Sequence, residues 1–376
     1  MSNSGLRPRS QQRRTGASVG TVTESREADE RPDAPRGAAA ALRAGVRPPR
    51  GKVRLTMAIV ASLVLIAVCI PLAVRAADAD GVTPIPQVIS FMPWFLLPAG
   101  FGLLMAALAR WPLGVAWALL TLACTAWFMR PYETAADAPS GPVAARITLL
   151  SSNLKFGNAT DGLLAALREH KPDLVSVQEC DARCAAALRT PELREAYPYR
   201  VIADGNPSEG SALLSKFPLA KGPTIPSELK MPGGTAEIAG QRVRIQVAHP
   251  LPPLPERAYM NGWRTELERL RDFAADAGNG PLIIAGDFNS SQDHAAFRRI
   301  LDTGLRDSAL LLDRSRTPTW PQRTAPAFGA QIDHVLVGDR LAPTAIRFLD
   351  LAHTDHRSVL VELDLHERRD TAPAAN

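Results

Sequence analysis

A tetrapeptide, Gly286-Asp287-Phe288-Asn289, follows the apolar run Pro281-Leu282-Ile283-Ile284-Ala285, and this junction constrains the chain more than any other stretch. The run reads as a buried strand. An Asp and an Asn two residues apart at its C-terminal end leave the sheet on the same side. Placed so, they hold and polarise one small nucleophile such as water. Farther along, Asp355-His356 sits at another strand end, where a carboxylate and an imidazole can meet a metal and a phosphate oxygen.

The same pattern recurs. A strand over 146–152 ends at Asn153, one over 173–178 delivers Glu179, and one over 242–248 delivers His249. Further strands are expected at 199–203, 211–215, 235–238, 331–337 (carrying Asp333), 344–349 and 357–363. A helix capped by Thr160 or Asp161 stops near Lys171-Pro172, and another spans 257–276 with Trp263, Leu267, Leu270 and Phe273 as a core stripe. A third helix is expected over 293–301. Any one of the strand-end polar residues is ordinarily a cap or a loop residue. Their collection at the ends of apolar strands marks a site, since rigid sheets carry catalytic groups on their strand-end loops.

Three apolar segments precede this region, over 55–74, 88–109 and 112–129. The first is uncharged and, at 1.5 Å per residue, spans about 30 Å of hydrocarbon. All three are expected to cross a bilayer, giving a transmembrane region over 55–130; buried core helices are the alternative. A cleaved signal peptide is not expected, because the first apolar run begins after fifty residues and is too long. Arg43, Arg47, Arg50, Lys52 and Arg54 flank the first segment, which orients the N-terminus to the cytoplasm and the region after Arg130 outside.

Charge follows the same division. Residues 1–54 hold twelve Lys and Arg against five Asp and Glu, whereas residues 146–376 hold 28 against 29. The basic excess is therefore a topology signal, and the near-neutral outer region lacks the basic stripe of a nucleic-acid binder. Residues 1–50 and 367–376 are expected to be disordered tails, and 131–145 a linker. Cys69 and Cys124 read as apolar residues; Cys180 and Cys184, four apart, form either a disulfide or two free thiols.

Asn153, Gln178-Glu179, Gly286–Asn289, Ile332-Asp333-His334 and Thr354-Asp355-His356, in this order over 146–366, resemble the motifs of the endonuclease/exonuclease/phosphatase superfamily. The N-terminal arrangement resembles a bacterial subgroup with three membrane spans. The resemblance implies an α/β fold, a four-layer α/β sandwich of two packed mixed sheets flanked by helices, with the site at one edge. Two departures stand out: Lys155 where many family nucleases carry Asp, and Thr354 for the usual Ser. The phosphate-directed Tyr or Arg of some members has no clear counterpart, with Arg183 and Lys216 as weak candidates.

The chemistry assigned to these residues is metal-assisted phosphoester hydrolysis. Glu179, with Asn153 and Asp355, would hold Mg²⁺ or Mn²⁺. Asp287 would take the proton of an attacking water, oriented by Asn289. His356 and His249 would donate to non-bridging oxygens, and Asp333 would orient a histidine from behind. The expected partners are the lipid bilayer and a phosphoester substrate, whether nucleic acid, phospholipid head group or small phosphate ester; no protein partner is evident. The competing expectation is a membrane-anchored binding module that has lost turnover.

Overall fold

The computed structural model describes residues 50–132, 139–278, 280–323 and 328–367. The expected tail through residue 49, residues 133–138 of the expected linker and the expected tail from residue 368 lie outside the described residues.

Helix α1 (Lys52–Ala76) has 25 residues and a mean hydropathy of 2.8 over its most apolar stretch, long and apolar enough to cross a membrane. After it come a short α2 (Ile85–Ile89), a 3₁₀ turn (Met92–Phe95), α3 (Leu96–Leu108) and α4 (Pro112–Phe128). The segment expected to run unbroken over 88–109 is thus divided. Pro93 lacks the N–H that a continuing helix needs, and it opens the 3₁₀ turn instead. Helices α3 and α4 have 13 and 17 residues, so α1 alone among the described helices is both long and apolar enough for a span. Small residues line the contacts between the three: Ala61 on α1, Ala99, Gly102 and Ala106 on α3, Gly114 and Ala118 on α4. A Cβ on Gly102 would stand 2.9 Å from the Leu65 side chain, so glycine sets the α1–α3 approach. Leu63, Ile66, Phe101, Leu104, Leu120 and Trp127 remain exposed on the outer faces.

The strands form two six-stranded sheets. The first contains β1 (Val143–Asn153), β2 (Leu174–Gln178), β3 (Tyr199–Ala203) and β4 (Ser211–Ser215). The second is made of β5 (Leu219–Lys221), β6 (Gly233–Ile238), β7 (Gln241–Ala248), β8 (Leu282–Asp287), β9 (Arg306–Asp307) and β10 (Asp333–Val337). The chain then returns to the first sheet with β11 (Leu341–Asp350) and β12 (Arg357–His366). The orders are β11-β12-β1-β2-β4-β3 and β5-β6-β7-β8-β10-β9. Each sheet is mixed, with one parallel pair, β1–β2 or β7–β8, among antiparallel neighbours.

Alternation of side chains builds three apolar layers. Leu149, Val361 and Leu213 of one sheet meet Ile245, Ile283 and Val335 of the other between the sheets. Leu150 and Val177 face outward onto Leu163 and Leu167 of α5 (Thr160–His170) and Cys184 of α6 (Ala182–Ala187). A further helix, α7 (Pro191–Ala196), precedes β3. On the opposite side Ile284 and Leu336 pack under Trp263, Leu267 and Leu270 of α8 (Arg257–Asp276) and Phe297 of α9 (Ala295–Leu301). The result is the expected helix–sheet–sheet–helix sandwich. Strands β5 and β9 and helices α6 and α7 were not expected, being too short to show a period.

The apolar helices join this sandwich through buried polar contacts. Asp80, in the loop after α1, accepts from the Ala295 and Ala296 amides and so caps α9. Asp78 pairs with Arg298, and Arg316 donates to the Phe128 and Met129 carbonyls while gripping Asp293 at 2.6 and 2.8 Å. The lone tether expected over 131–145 is therefore supplemented by a docked loop.

Candidate active site

The two parallel pairs decide where the polar residues meet. In the first sheet Asn153 lies opposite Gln178, which brings the ends of β1 and β2 together and sets Glu179 beside Asn153. In the second, Ala248 lies opposite Gly286, so His249 and Asp287 emerge side by side. Strand β10 runs antiparallel to β8 and pairs Asp333 with Asp287. A Cβ on Gly286 would fall 1.9 Å from the Ala248 carbonyl oxygen, so only glycine allows β8 this close to β7.

Asn153 links the sheets. Its buried Nδ2 donates to Glu179 Oε1 and to Asp287 Oδ2, both at 3.1 Å, while its Oδ1 accepts from the Lys155 amide. Glu179 also accepts from the Phe156 amide at 2.8 Å. Both Glu179 and Asn289 sit at positive φ, 53° and 46°, a strained setting characteristic of functional turns. Asn289 donates from its side-chain Nδ2 to the Pro250 carbonyl, and its backbone carbonyl accepts from Trp263 Nε1. Trp263 of the α8 stripe therefore both fills the core and fixes the turn after Asp287.

Asp333 pairs with His356, resolving which histidine it orients. His356 Nδ1 lies 2.9 Å from Asp333 Oδ2, and Nε2 faces Asp287 at 3.8 Å. Burial works against the imidazolium, but Asp333 and then Asp287 outweigh it and lift its pKa to about 10. Burial likewise raises Asp287, to about 7, and raises Glu179. His249 behaves oppositely: burial, reinforced by His356, lowers it to about 3, so it stands neutral 3.9 Å from Glu179. Its Nδ1 has no hydrogen-bond partner among the described residues.

Asp355 lies on the rim, not against Glu179. Its carboxylate meets Lys155 Nζ at 3.1 Å and accepts from Trp320 Nε1 at 3.4 Å. Lys155, read from sequence as a departure from the family pattern, thus brings a cation to the edge of the site. Arg183 and Lys216 are elsewhere, paired with Asp161 and Asp173. Trp320 belongs to no regular element, and no periodic or motif signal marks it.

The donors suit a hard divalent cation. Three carboxylates, Glu179, Asp287 and Asp333, converge where one imidazolium, His356, answers them, and burial holds two of them toward the neutral form. Oxygen ligands with surplus negative charge are the preference of Mg²⁺ and Mn²⁺. Asp287, Asp333 and His356 offer donor atoms within 4.8 Å of one another. The Glu179–Asn153 pair abuts this group through the Asn153–Asp287 bond. Glu179, Asp287 and His356 line a cleft of about 890 Å³, with Asn153 buried beneath them and Asp333 behind His356.

The raised His356 fixes a sign for stability. In metal-free protein its contribution is complete below its unfolded pKa of about 6.5. It is lost as pH rises through about 10. Asp333→Asn removes the leading partner that raises this pKa, so the fall in melting temperature from neutral to alkaline pH should become shallower. Thermal unfolding across that range checks it; parallel curves for the two proteins would contradict the pairing.

Comparison with known proteins agrees with this geometry. The sequence profile of the Endonuclease/Exonuclease/phosphatase family matches residues 150–356, more than half of the chain. No curated protein sequence matches it significantly. A humanized D. rerio TDP2 structure bearing 14 mutations superposes with a TM-score of 0.49 at 15% identity, over 58% of this chain and 99% of that one. The human Nocturnin catalytic domain with bound sulfate gives 0.48 at 18% over 60% and 95%. A Bacteroides thetaiotaomicron mannosyl-6-phosphatase gives 0.45 at 19% over 58% and 99%. These are similarities of backbone course, and no activity is taken from them. On the family match, spanning every strand-end residue from Asn153 to His356, the chain belongs to the endonuclease/exonuclease/phosphatase family.

Proposed function

We propose that the chain is a divalent-metal-dependent phosphoester hydrolase, anchored in a bilayer by its N-terminal helices, with the catalytic domain (residues 146–366) outside the cytoplasm. The observation that carries the hydrolase reading is the junction of Glu179, Asn153, Asp287 and the Asp333–His356 pair across two sheets. Asp287, buried and raised to about 7, is basic enough near neutrality to take a proton from water, and Asn289 sets the turn that aims it. His356, charged and held by Asp333, presents Nε2 to a non-bridging oxygen as negative charge develops. Neutral His249 is available as a second donor beside Glu179. Glu179 and Asn153, with Asp355 at the rim, would hold Mg²⁺ or Mn²⁺. When bound, that ion would neutralise and polarise the anionic phosphoester.

The anchor reading uses α1 as one crossing and α3 and α4 as two shorter ones, with exposed apolar residues on their outer faces. The basic residues before α1 favour a cytoplasmic N-terminus. The Cys180–Cys184 disulfide, one of the two alternatives open from sequence, is consistent with an oxidising compartment.

Two expected outcomes follow. With Mg²⁺ and bis-(4-nitrophenyl) phosphate, Glu179→Gln should weaken metal dependence, and Asp287→Asn should lower kcat by roughly 10²–10⁴ with KM little changed. Full activity in excess chelator, or near-normal turnover by Asp287→Asn, would refute the assignments; tight binding without turnover in the native protein would favour the binding module. For topology, alkaline phosphatase fused after Phe128 should be active. Activity of a cytoplasmic fluorescent reporter at that position would reverse the orientation.

A further inference from the structure

The cleft is not built by the family domain alone. One wall comes from the N-terminal helical region: Pro86 and Gln87 of α2 and Ser90 and Phe91 just after it face the catalytic carboxylates. The wall is fixed in place. His294 Nε2 bonds the Pro86 carbonyl at 2.8 Å, Gln87 donates to the Pro253 carbonyl, and Arg264 donates to the Gly81 carbonyl. Asp80 locks the preceding loop onto α9. Phe91 lies tilted beside Trp320, with ring centroids 6.4 Å apart.

Joined to this wall by the Gln87–Pro253 bond, Pro252, Pro253, Leu254 and Tyr259 continue the lining, and Leu254 and Tyr259 are 41% and 39% exposed. The catalytic end is polar, and the rest of the cavity is lined by aromatic, proline and leucine side chains interspersed with Gln87, Ser90, Ser208 and Ser227. Apart from the catalytic residues and the Lys155–Asp355 pair at the rim, the charged lining consists of Glu209 and Glu228 against Lys230. An extended polyanion would set its neighbouring phosphates against those acids, and no basic track offsets them. The position of the wall adds a constraint. Only the 3₁₀ turn Met92–Phe95 separates Phe91 from α3, about 8 Å along the axis at 2.0 Å per residue. With α3 in the bilayer, Phe91 lies at the depth of the lipid head groups.

We propose that the substrate is a lipid phosphoester drawn from the bilayer. Its phosphate sits at Glu179, Asp287 and His356, and its hydrocarbon chain lies along Phe91 and the Leu254–Tyr259 wall. This rests on the hydrolase reading above and adds the substrate class to it. In the step, the water oxygen bonds phosphorus, one of its protons passes to Asp287, one P–O ester bond breaks, the departing oxygen takes a proton from solvent water to leave as an alcohol, and Asp287 returns its proton to solvent. The N-terminal helices then serve as a specificity element as well as an anchor.

The test uses the full chain in vesicles and three substrates. Two are diesters sharing one leaving group, hexadecyl 4-nitrophenyl phosphate and ethyl 4-nitrophenyl phosphate; the third is a single-stranded oligonucleotide. Burial of the longer chain should favour the hexadecyl ester in kcat/KM by about 100-fold or more. Phe91→Ser and Leu254→Ser should each cut that preference about tenfold, mainly through KM, while Phe91→Leu, which stays apolar, should retain it. Comparing the two Phe91 variants separates chain recognition from simple partitioning of the ester into vesicles, and circular dichroism verifies their folding. Equal use of the two diesters, better use of the oligonucleotide, or a preference unmoved by both serine variants would overturn the lipid assignment while leaving the hydrolase standing. Failure to cleave any of the three would overturn both.

Discussion

The side-chain amide of Asn153 is the contact on which the site depends. One nitrogen donates to Glu179 in its own sheet and to Asp287 in the other, tying together the ends of two sheets that meet mainly through apolar packing, with Ser176 Oγ donating to the Ala285 carbonyl deeper between them. The amide is fully buried, so both bonds form where water does not compete and loss of either would leave an unsatisfied polar group. Backbone order supplies the rest. The parallel pairs β1–β2 and β7–β8 each bring two strand ends abreast, and antiparallel β10 returns Asp333 to the same edge.

Electrostatics then divides the roles. Similar side chains, His249 and His356, are driven apart by surroundings: one is buried without a carboxylate in hydrogen-bond contact and is neutral, the other is held between two carboxylates and charged. Groups pushed in opposite directions in one cleft mark an acid–base site. His334 shows the contrast with a structural histidine. It follows Asp333 on β10 and so points to the other face, where Asp307 and the Ser290 carbonyl engage both ring nitrogens among Phe288 and Phe297.

Much of the site was legible because apolar strands ending in polar residues stand out in a linear sequence. Glu179, His249, Asp287 and Asp355-His356 could be read that way, and the two-sheet fold followed from the family motifs they form. Pairings could not be read: which histidine meets Asp333 depends on the β8–β10 register, and the placement of Asp355 beside Lys155 depends on two loops. Nor was the docked loop legible. Asp78 and Asp80 lie between two expected spans with no motif to mark them, and Phe91 falls inside an expected membrane span. Their contacts with Arg298, α9 and Trp320 join segments more than two hundred residues apart. Such contacts leave no periodic trace.

Beyond the docked loop, the N-terminal helical region contributes Pro86, Gln87, Ser90 and Phe91 to the wall of the cleft. The chemistry at the other end of that cleft is tested most directly by one turnover in heavy-oxygen water with Mg²⁺ present. If water activated at Asp287 attacks phosphorus, the heavy atom appears in the phosphate-bearing product and none in the alcohol. Label in the alcohol, or an unlabelled phosphate product formed alongside a phosphorylated protein, would contradict it.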